Sequence, residues 1–231
     1  MSGGRFLTFL IAGLVSVGLL AATTSFAGAT SVLCKKNVST CPAESVWPIG
    51  SEFSVATKAT YVYFETSPSS TEPVTNKQAC SEASSSIVTE GSTLGNVYGT
   101  WRNLSFAKCA AETLGGKLGV CAGAEARNLP WKMVFEAGAI PSQNVITVSS
   151  SGKGNPTIRI SCSPGGLPTT CTYSAASLKL NMPVGTEEQP QVWVQNGVLS
   201  LVEGGLWCSS EKILHWQANY NSVSPTAYLT H

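Results

Sequence analysis

The sequence predicts an all-β fold: an antiparallel β-sandwich of immunoglobulin-like or jelly-roll-like kind, stapled by disulfides and preceded by a signal helix. Three observations carry this. Short runs rich in β-branched and aromatic residues alternate apolar with polar or small types, Gly and Pro clusters separate those runs, and all eight cysteines lie beyond the N-terminal apolar segment.

The N-terminal segment is read first. Arg5 precedes the apolar run 6–22, and Ser25 and Ala27 place small residues three positions and one position before a cut after Ala27. A positive start, an apolar stretch and small residues at the cut describe a cleavable secretory signal, assigned to residues 1–27. A cut after Ala29 is the near alternative. An uncleaved anchor is the other, since the run approaches the roughly 17 residues needed to span a bilayer. Leu33 before Cys34 argues against a lipoprotein, whose modified cysteine follows a small residue. The expected setting is therefore secreted, extracellular or cell-envelope, with membrane contact only in transit.

Strands are predicted at 53–57, 61–64, 86–89, 97–106, 131–135, 145–148, 157–162, 171–180, 191–195, 198–202, 214–220 and 227–230. Asn196-Gly197 between two strand-like runs predicts a two-residue type I′ hairpin, because both residues tolerate positive φ. One short helix is allowed at 107–114. Residues 28–231 are expected to form a single β-sandwich domain; the polar stretch 149–156 leaves two domains, 28–150 and 151–231, as the alternative. The Ser/Thr/Glu/Pro-rich stretch 65–76 predicts an exposed loop.

An even cysteine count behind an export signal predicts a disulfide framework. Short loops close at the lowest entropic cost, which favours Cys34–Cys41, Cys109–Cys121 and Cys162–Cys171 and leaves Cys80–Cys208 as a long-range staple. No two cysteines are separated by two residues, so no zinc site is expected, and no other metal or cofactor.

Composition narrows function. With 14 Lys and Arg against 13 acidic residues, the net charge is +1 and the cations are scattered, which disfavours nucleic acid. Every acid is glutamate; the absence of aspartate removes Ser-His-Asp triads and Asp-x-Asp calcium loops. His215 and His231 are the two histidines, and strand alternation puts His215 on the polar side opposite Leu214, Trp216, Ala218 and Tyr220. No Gly-x-Ser-x-Gly elbow occurs, and no glutamate pair stands out; the neighbours Glu187 and Glu188 read as solvated loop charges. The triplets at Asn37 and Asn103 fit a glycosylation acceptor but carry little weight.

Tyr61, Tyr63 and Trp193 are the candidate ligand-binding residues. Each alternates with a valine or phenylalanine, so if Val62, Phe64, Val192 and Val194 point inward the three rings face outward, where they can stack on sugars or on a partner protein. The competing expectation is a sheet covered on both sides, with the rings in the core.

The segments Leu33-Cys34-Lys35 with Cys41, Trp47-Pro48-Ile49-Gly50, Leu104-Ser105-Phe106-Ala107-Lys108-Cys109, Leu129-Pro130-Trp131, Cys171-Thr172-Tyr173, and Leu214-His215-Trp216-Gln217 followed by Pro225 to Leu229 resemble a group of secreted actinobacterial proteins with no assigned activity. The resemblance implies export, a bacterial envelope setting and one β domain. It implies no catalytic residue. The expected function is non-enzymatic binding of an extracellular protein or glycan; a Glu-dependent polysaccharide hydrolase and a secreted inhibitor or effector are the alternatives.

Overall fold

Alternation of buried apolar with more exposed polar residues builds strands such as Glu52–Ala56, Trp131–Glu136 and Ile213–Tyr220. A computed structural model describes residues 31–93, 96–182 and 190–230. The expected signal segment, 1–27, lies outside the described residues. Among those described, no helix is long and apolar enough to cross a membrane.

In chain order the strands are β1 (Val32–Cys34), β2 (Glu52–Ala56), β3 (Val62–Ser67), β4 (Asn76–Thr93), β5 (Asn96–Ala111), β6 (Thr113–Leu114), β7 (Lys117–Leu118), β8 (Cys121–Arg127) and β9 (Trp131–Glu136). They continue as β10 (Val145–Ser150), β11 (Thr157–Cys162), β12 (Thr169–Ser174), β13 (Ser177–Asn181), β14 (Val192–Gly204), β15 (Ile213–Tyr220), β16 (Ser222–Ser224) and β17 (Tyr228–Thr230). Short 3-10 turns at Ala43–Ser45, Pro141–Gln143, Pro164–Gly166 and Leu206–Ser210 join some of them.

One antiparallel sheet dominates. Its order is β13-β10-β9-β5-β4-β3-β15-β14, and β14 returns to β13 through Asn181 and Trp193, closing eight strands into a barrel. Beyond the closure β14 also pairs β12, and the sheet runs on through β11 to β8. β2 joins the far half of β4 and carries β16, while β1 pairs β17 separately.

The sheet closes on itself instead of separating into two facing layers, so the expected immunoglobulin-like or jelly-roll-like sandwich gives way to a barrel. Strand length is the physical reason. β14 spans 13 residues, enough to meet β13 at its start and β12 along its second half while β15 lies on its other edge. β4, with 18 residues, likewise serves β3 with its first half and β2 with its second.

Asn196-Gly197 is not a hairpin. It sits inside β14, where the register against β15 shifts between Val194 and Gly197, the mark of a β-bulge. Gly197 does not take the positive φ a type I′ turn requires. A Cβ there would lie 3.0 Å from Val194 Cγ1 and 3.3 Å from the Trp216 carbonyl, so close approach of backbones explains the glycine. The helix allowed at 107–114 is also absent: those residues complete β5 and form β6. In the stretch 149–156, Ser149 and Ser150 end β10 and residues 151–156 make the turn to β11 within the one sheet, using positive φ at Gly152 and Gly154.

Disulfide pairing follows the ladders. Cys34 is bonded to Cys41. The other three expected bonds, Cys80–Cys208, Cys109–Cys121 and Cys162–Cys171, are replaced by Cys80–Cys109, Cys121–Cys162 and Cys171–Cys208. Register places Cys80 opposite Cys109 and Cys121 opposite Cys162, with Cα atoms 3.8 and 3.9 Å apart. Sheet pairing, not loop length, brings Cys80 to Cys109 and Cys121 to Cys162, while Cys208 meets Cys171 from the Leu206–Ser210 turn.

The barrel is filled by side chains. Phe64, Trp101, Trp131, Trp216 and Tyr220 are almost fully buried, with Trp101 edge-on to Trp131 at 5.8 Å and Phe64 stacked on Trp216 at 6.2 Å. Rings of this size in such arrangements supply most of the apolar area a core of this kind buries.

Candidate functional site

Alternation on three adjacent strands assembles the site. In β3, Val62 and Phe64 are buried, which turns Tyr63 outward together with Tyr61 just before the strand. In β14, Val192 and Val194 are buried and Trp193 and Gln195 face out. β15 runs between them; Ala218 faces inward while Gln217 and Asn219 face the other way. Register then sets Gln217 opposite Tyr63 and Asn219 opposite Trp193.

All three sequence-predicted residues therefore meet on one outer face. Tyr61, Tyr63 and Trp193 line a shallow cavity of about 300 Å³, whose floor and ends include Gln195, Gln217 and Asn219. Tyr61 is 50% exposed, and its ring lies 6.0 Å from that of Tyr63 at an angle of 36°. β3 and β14 are two strand spacings apart, about 10 Å, so Trp193 forms a second ring surface across the amides.

Neighbouring groups hold the rings in place. The Lys77 ammonium lies 4.3 Å over the Tyr63 ring and 3.1 Å from Glu65 Oε1, and Gln217 Nε2 donates to Glu65 Oε2 at 3.4 Å. Trp193 Nε1 donates to Gln191 Oε1 at 2.7 Å, and Asn181 Nδ2 donates to Gln195 Oε1 at 3.0 Å. The indole is thus held by its edge while its π-face remains the part that a ligand can cover. Flat, positioned rings flanked by amide donors and acceptors suit a ligand with apolar C–H faces and equatorial hydroxyls.

His215 lies on the same outer face, half-buried, with Nε2 3.3 Å from Ser67 Oγ. Its register neighbour is Glu65, so serine, histidine and carboxylate occur in the order of a hydrolytic relay. The relay is not built. Ser67 is fully buried and donates its hydroxyl to the Ser69 carbonyl at 2.7 Å, while both Glu65 oxygens are engaged by Lys77 and Gln217. A nucleophile needs exposure and a free base, and neither is offered here.

Glu211 is the buried glutamate, 5% exposed; its carboxylate accepts from the hydroxyls of Thr66 and Thr75 and meets no second carboxylate in these bonds. Glu187 and Glu188 lie outside the described residues. No group of three or more His, Cys, Asp or Glu side chains that could hold a metal ion occurs among the described residues.

A second and larger concavity, about 750 Å³, opens on the outer face of the sheet extension beyond β14. Arg127, Arg159, Thr172 and Glu203 are among its walls. Sequence reasoning passed over these residues, though the alternation Thr157, Arg159, Ser161 on β11 and Thr170, Thr172, Ser174 on β12 already marks two polar strand faces. Pairing of those strands with β8 and β14, which brings the charged groups to them, is not visible in any single segment.

No protein-family model matches the chain, and neither a curated protein nor a solved structure is significantly similar to it.

Proposed function

We propose that the protein is exported to an oxidising compartment, secreted or held at the cell envelope, and acts there as a non-enzymatic module that binds an extracellular glycan. The observation that carries the ligand class is the outward platform of Tyr61, Tyr63 and Trp193 bordered by Gln195, Gln217 and Asn219. Aromatic faces cover the C–H side of a sugar ring, and amides satisfy its hydroxyls without the charge a protein partner's rim would favour. Four disulfides, with no free cysteine among the described residues, support the oxidising compartment. The signal at residues 1–27 supports export, and N-terminal sequencing of protein recovered from the culture medium tests it: the chain should begin at Gly28.

Affinity electrophoresis against a panel of neutral and acidic extracellular polysaccharides tests the ligand class. At least one polymer should retard the protein, and Trp193→Ala should weaken that retention about tenfold, the loss of one stacking surface. Tyr61→Ala should act in the same direction. A blank panel, or a Trp193→Ala variant retarded like the wild type, overturns the proposal.

A further inference from the structure

We infer that the cleft around Arg159, Thr172 and Glu203 is a second saccharide subsite, selective for a sugar bearing a carboxylate, on the same outer face as the aromatic platform. The inference rests on the glycan-binding reading and specifies what kind of glycan is bound.

Four strands present the cleft in register. Glu125 on β8 stands opposite Arg159 on β11, Arg159 opposite Thr172 on β12, and Thr172 opposite Glu203 on β14. Side chains opposite one another along a ladder share a face, so Arg159, Thr172 and Glu203 form one row, with Arg159 and Glu203 about 10 Å apart.

Arg159 is the available cation. Its natural cross-strand partner, Glu125, is taken by Arg127, whose Nη2 lies 2.7 Å from Glu125 Oε2. Arg159 is exposed and makes no ion pair among the described residues. A free guanidinium at the wall of a roomy polar cavity presents a planar fork that fits a carboxylate in two parallel hydrogen bonds.

Charge count selects a monoanionic unit. With Arg127 neutralised by Glu125, the cleft keeps one cation, Arg159, and one anion, Glu203. A densely charged polyanion would meet repulsion from Glu203, whereas a uronic acid places its carboxylate on Arg159 and its hydroxyls on Thr172 and Glu203. The floor of Thr and Ser hydroxyls supplies further acceptors and donors at the spacing of the strands. The volume of about 750 Å³ is within the range of saccharide-sized sites.

The two concavities also lie on one strand. Trp193 and Glu203 both belong to β14, and Ser200, outward between them, pairs Ser174 on the cleft side and Ile213 on β15. Ten residues of strand span about 33 Å, so a glycan chain lying along β14 could engage the rings at one end and Arg159 at the other.

Isothermal titration calorimetry of the secreted full chain with a galactotriose in which one unit is replaced by galacturonate, and with its neutral counterpart, galactotriose, tests the inference. Expected are tighter binding of the uronate, weakening with added salt, and an Arg159→Ala variant in which the uronate falls about tenfold to the level of the neutral chain. Arg159→Lys should recover only part, because an ammonium keeps the charge and loses the fork. Arg159 is exposed, so these variants keep the fold, which an unchanged melting temperature verifies. Equal binding of both chains by the wild type, absence of binding, or unchanged uronate affinity in Arg159→Ala overturns the inference. Unchanged binding in Trp193→Ala together with loss in Arg159→Ala instead removes the platform reading and leaves the carboxylate subsite standing.

Discussion

The Thr66 hydroxyl donates a 2.7 Å hydrogen bond to the Glu211 carboxylate, tying the segment after the Leu206–Ser210 turn to β3. Thr75 donates to the same oxygen, and the Tyr173 hydroxyl donates to the Glu211 carbonyl at 2.9 Å. One residue thereby joins β3, the loop before β4, β12 and the entry to β15. Glu211→Ala leaves the Thr66 hydroxyl, 3% exposed, without its acceptor and should cost about 2 kcal/mol. Glu211→Gln keeps an acceptor at the same place and should cost less than half as much. Urea unfolding reads both as a shift in midpoint at constant slope; equal costs for the two variants would contradict the hydrogen-bond account.

Trp216 and His215 are chain neighbours on opposite faces of β15. Trp216 is fully buried against Phe64, Trp101 and Phe106, so Trp216→Ala should cost about 3–5 kcal/mol through lost burial and the cavity left behind. His215→Ala removes one 3.3 Å contact to Ser67 and should stay within about 1 kcal/mol. Thermal unfolding of the two variants side by side measures the contrast.

That contrast was legible in the sequence, because Leu214, Trp216, Ala218 and Tyr220 alternate with polar residues and a strand's period of two assigns each to a side. The same rule sets Tyr61, Tyr63 and Trp193 on the face opposite Val62, Phe64, Val192 and Val194, but whether that face is covered or open depends on pairing that no single segment shows. Closure was not legible. It depends on β14 meeting β13 at Asn181 and Trp193, and on a bulge at Gly197 where the dipeptide alone favours a turn. β8 carries no strand pattern in the sequence, because Ala122, Gly123, Ala124 and Ala126 have weak strand preference and are held as a strand by pairing with β11. The cleft at Arg159 depends on that same pairing.

Three of the four cystine pairings depend on the same long-range contacts, and the stability contributions of the cystines differ predictably. Cys171–Cys208 closes a separation of 37 residues and Cys34–Cys41 one of 7. Constraint of the unfolded chain grows with the logarithm of loop length, so replacing the first pair by serine should cost about 4 kcal/mol and the second about 2 kcal/mol. Denaturant unfolding of the two double variants measures this. Peptide mapping without reductant should recover Cys80 linked to Cys109 and Cys121 linked to Cys162; a Cys80–Cys208 peptide would contradict the register of β4 against β5.

Alkaline stability isolates a buried phenol. Tyr220 is fully buried, and its hydroxyl has no hydrogen-bond partner among the described residues. Burial pushes its pKa far above the ordinary 10, and Tyr173 is raised as well, by burial first and by the nearby Glu211 carboxylate second. In the unfolded chain both phenols release their protons near pH 10, while the native state still holds them. The stability present below that pH is therefore lost as pH rises through and beyond 10, at about 1.4 kcal/mol per pH unit for each tyrosine. Tyr220→Phe removes one of the two and should halve their combined slope. At pH 7 it should cost little, because no hydrogen bond within the described structure is lost and the ring is retained. Urea unfolding at pH 7, 10 and 11 makes the comparison, and a Tyr220→Phe variant that loses stability with alkali as steeply as the wild type would show that Tyr220 ionises freely in the folded barrel.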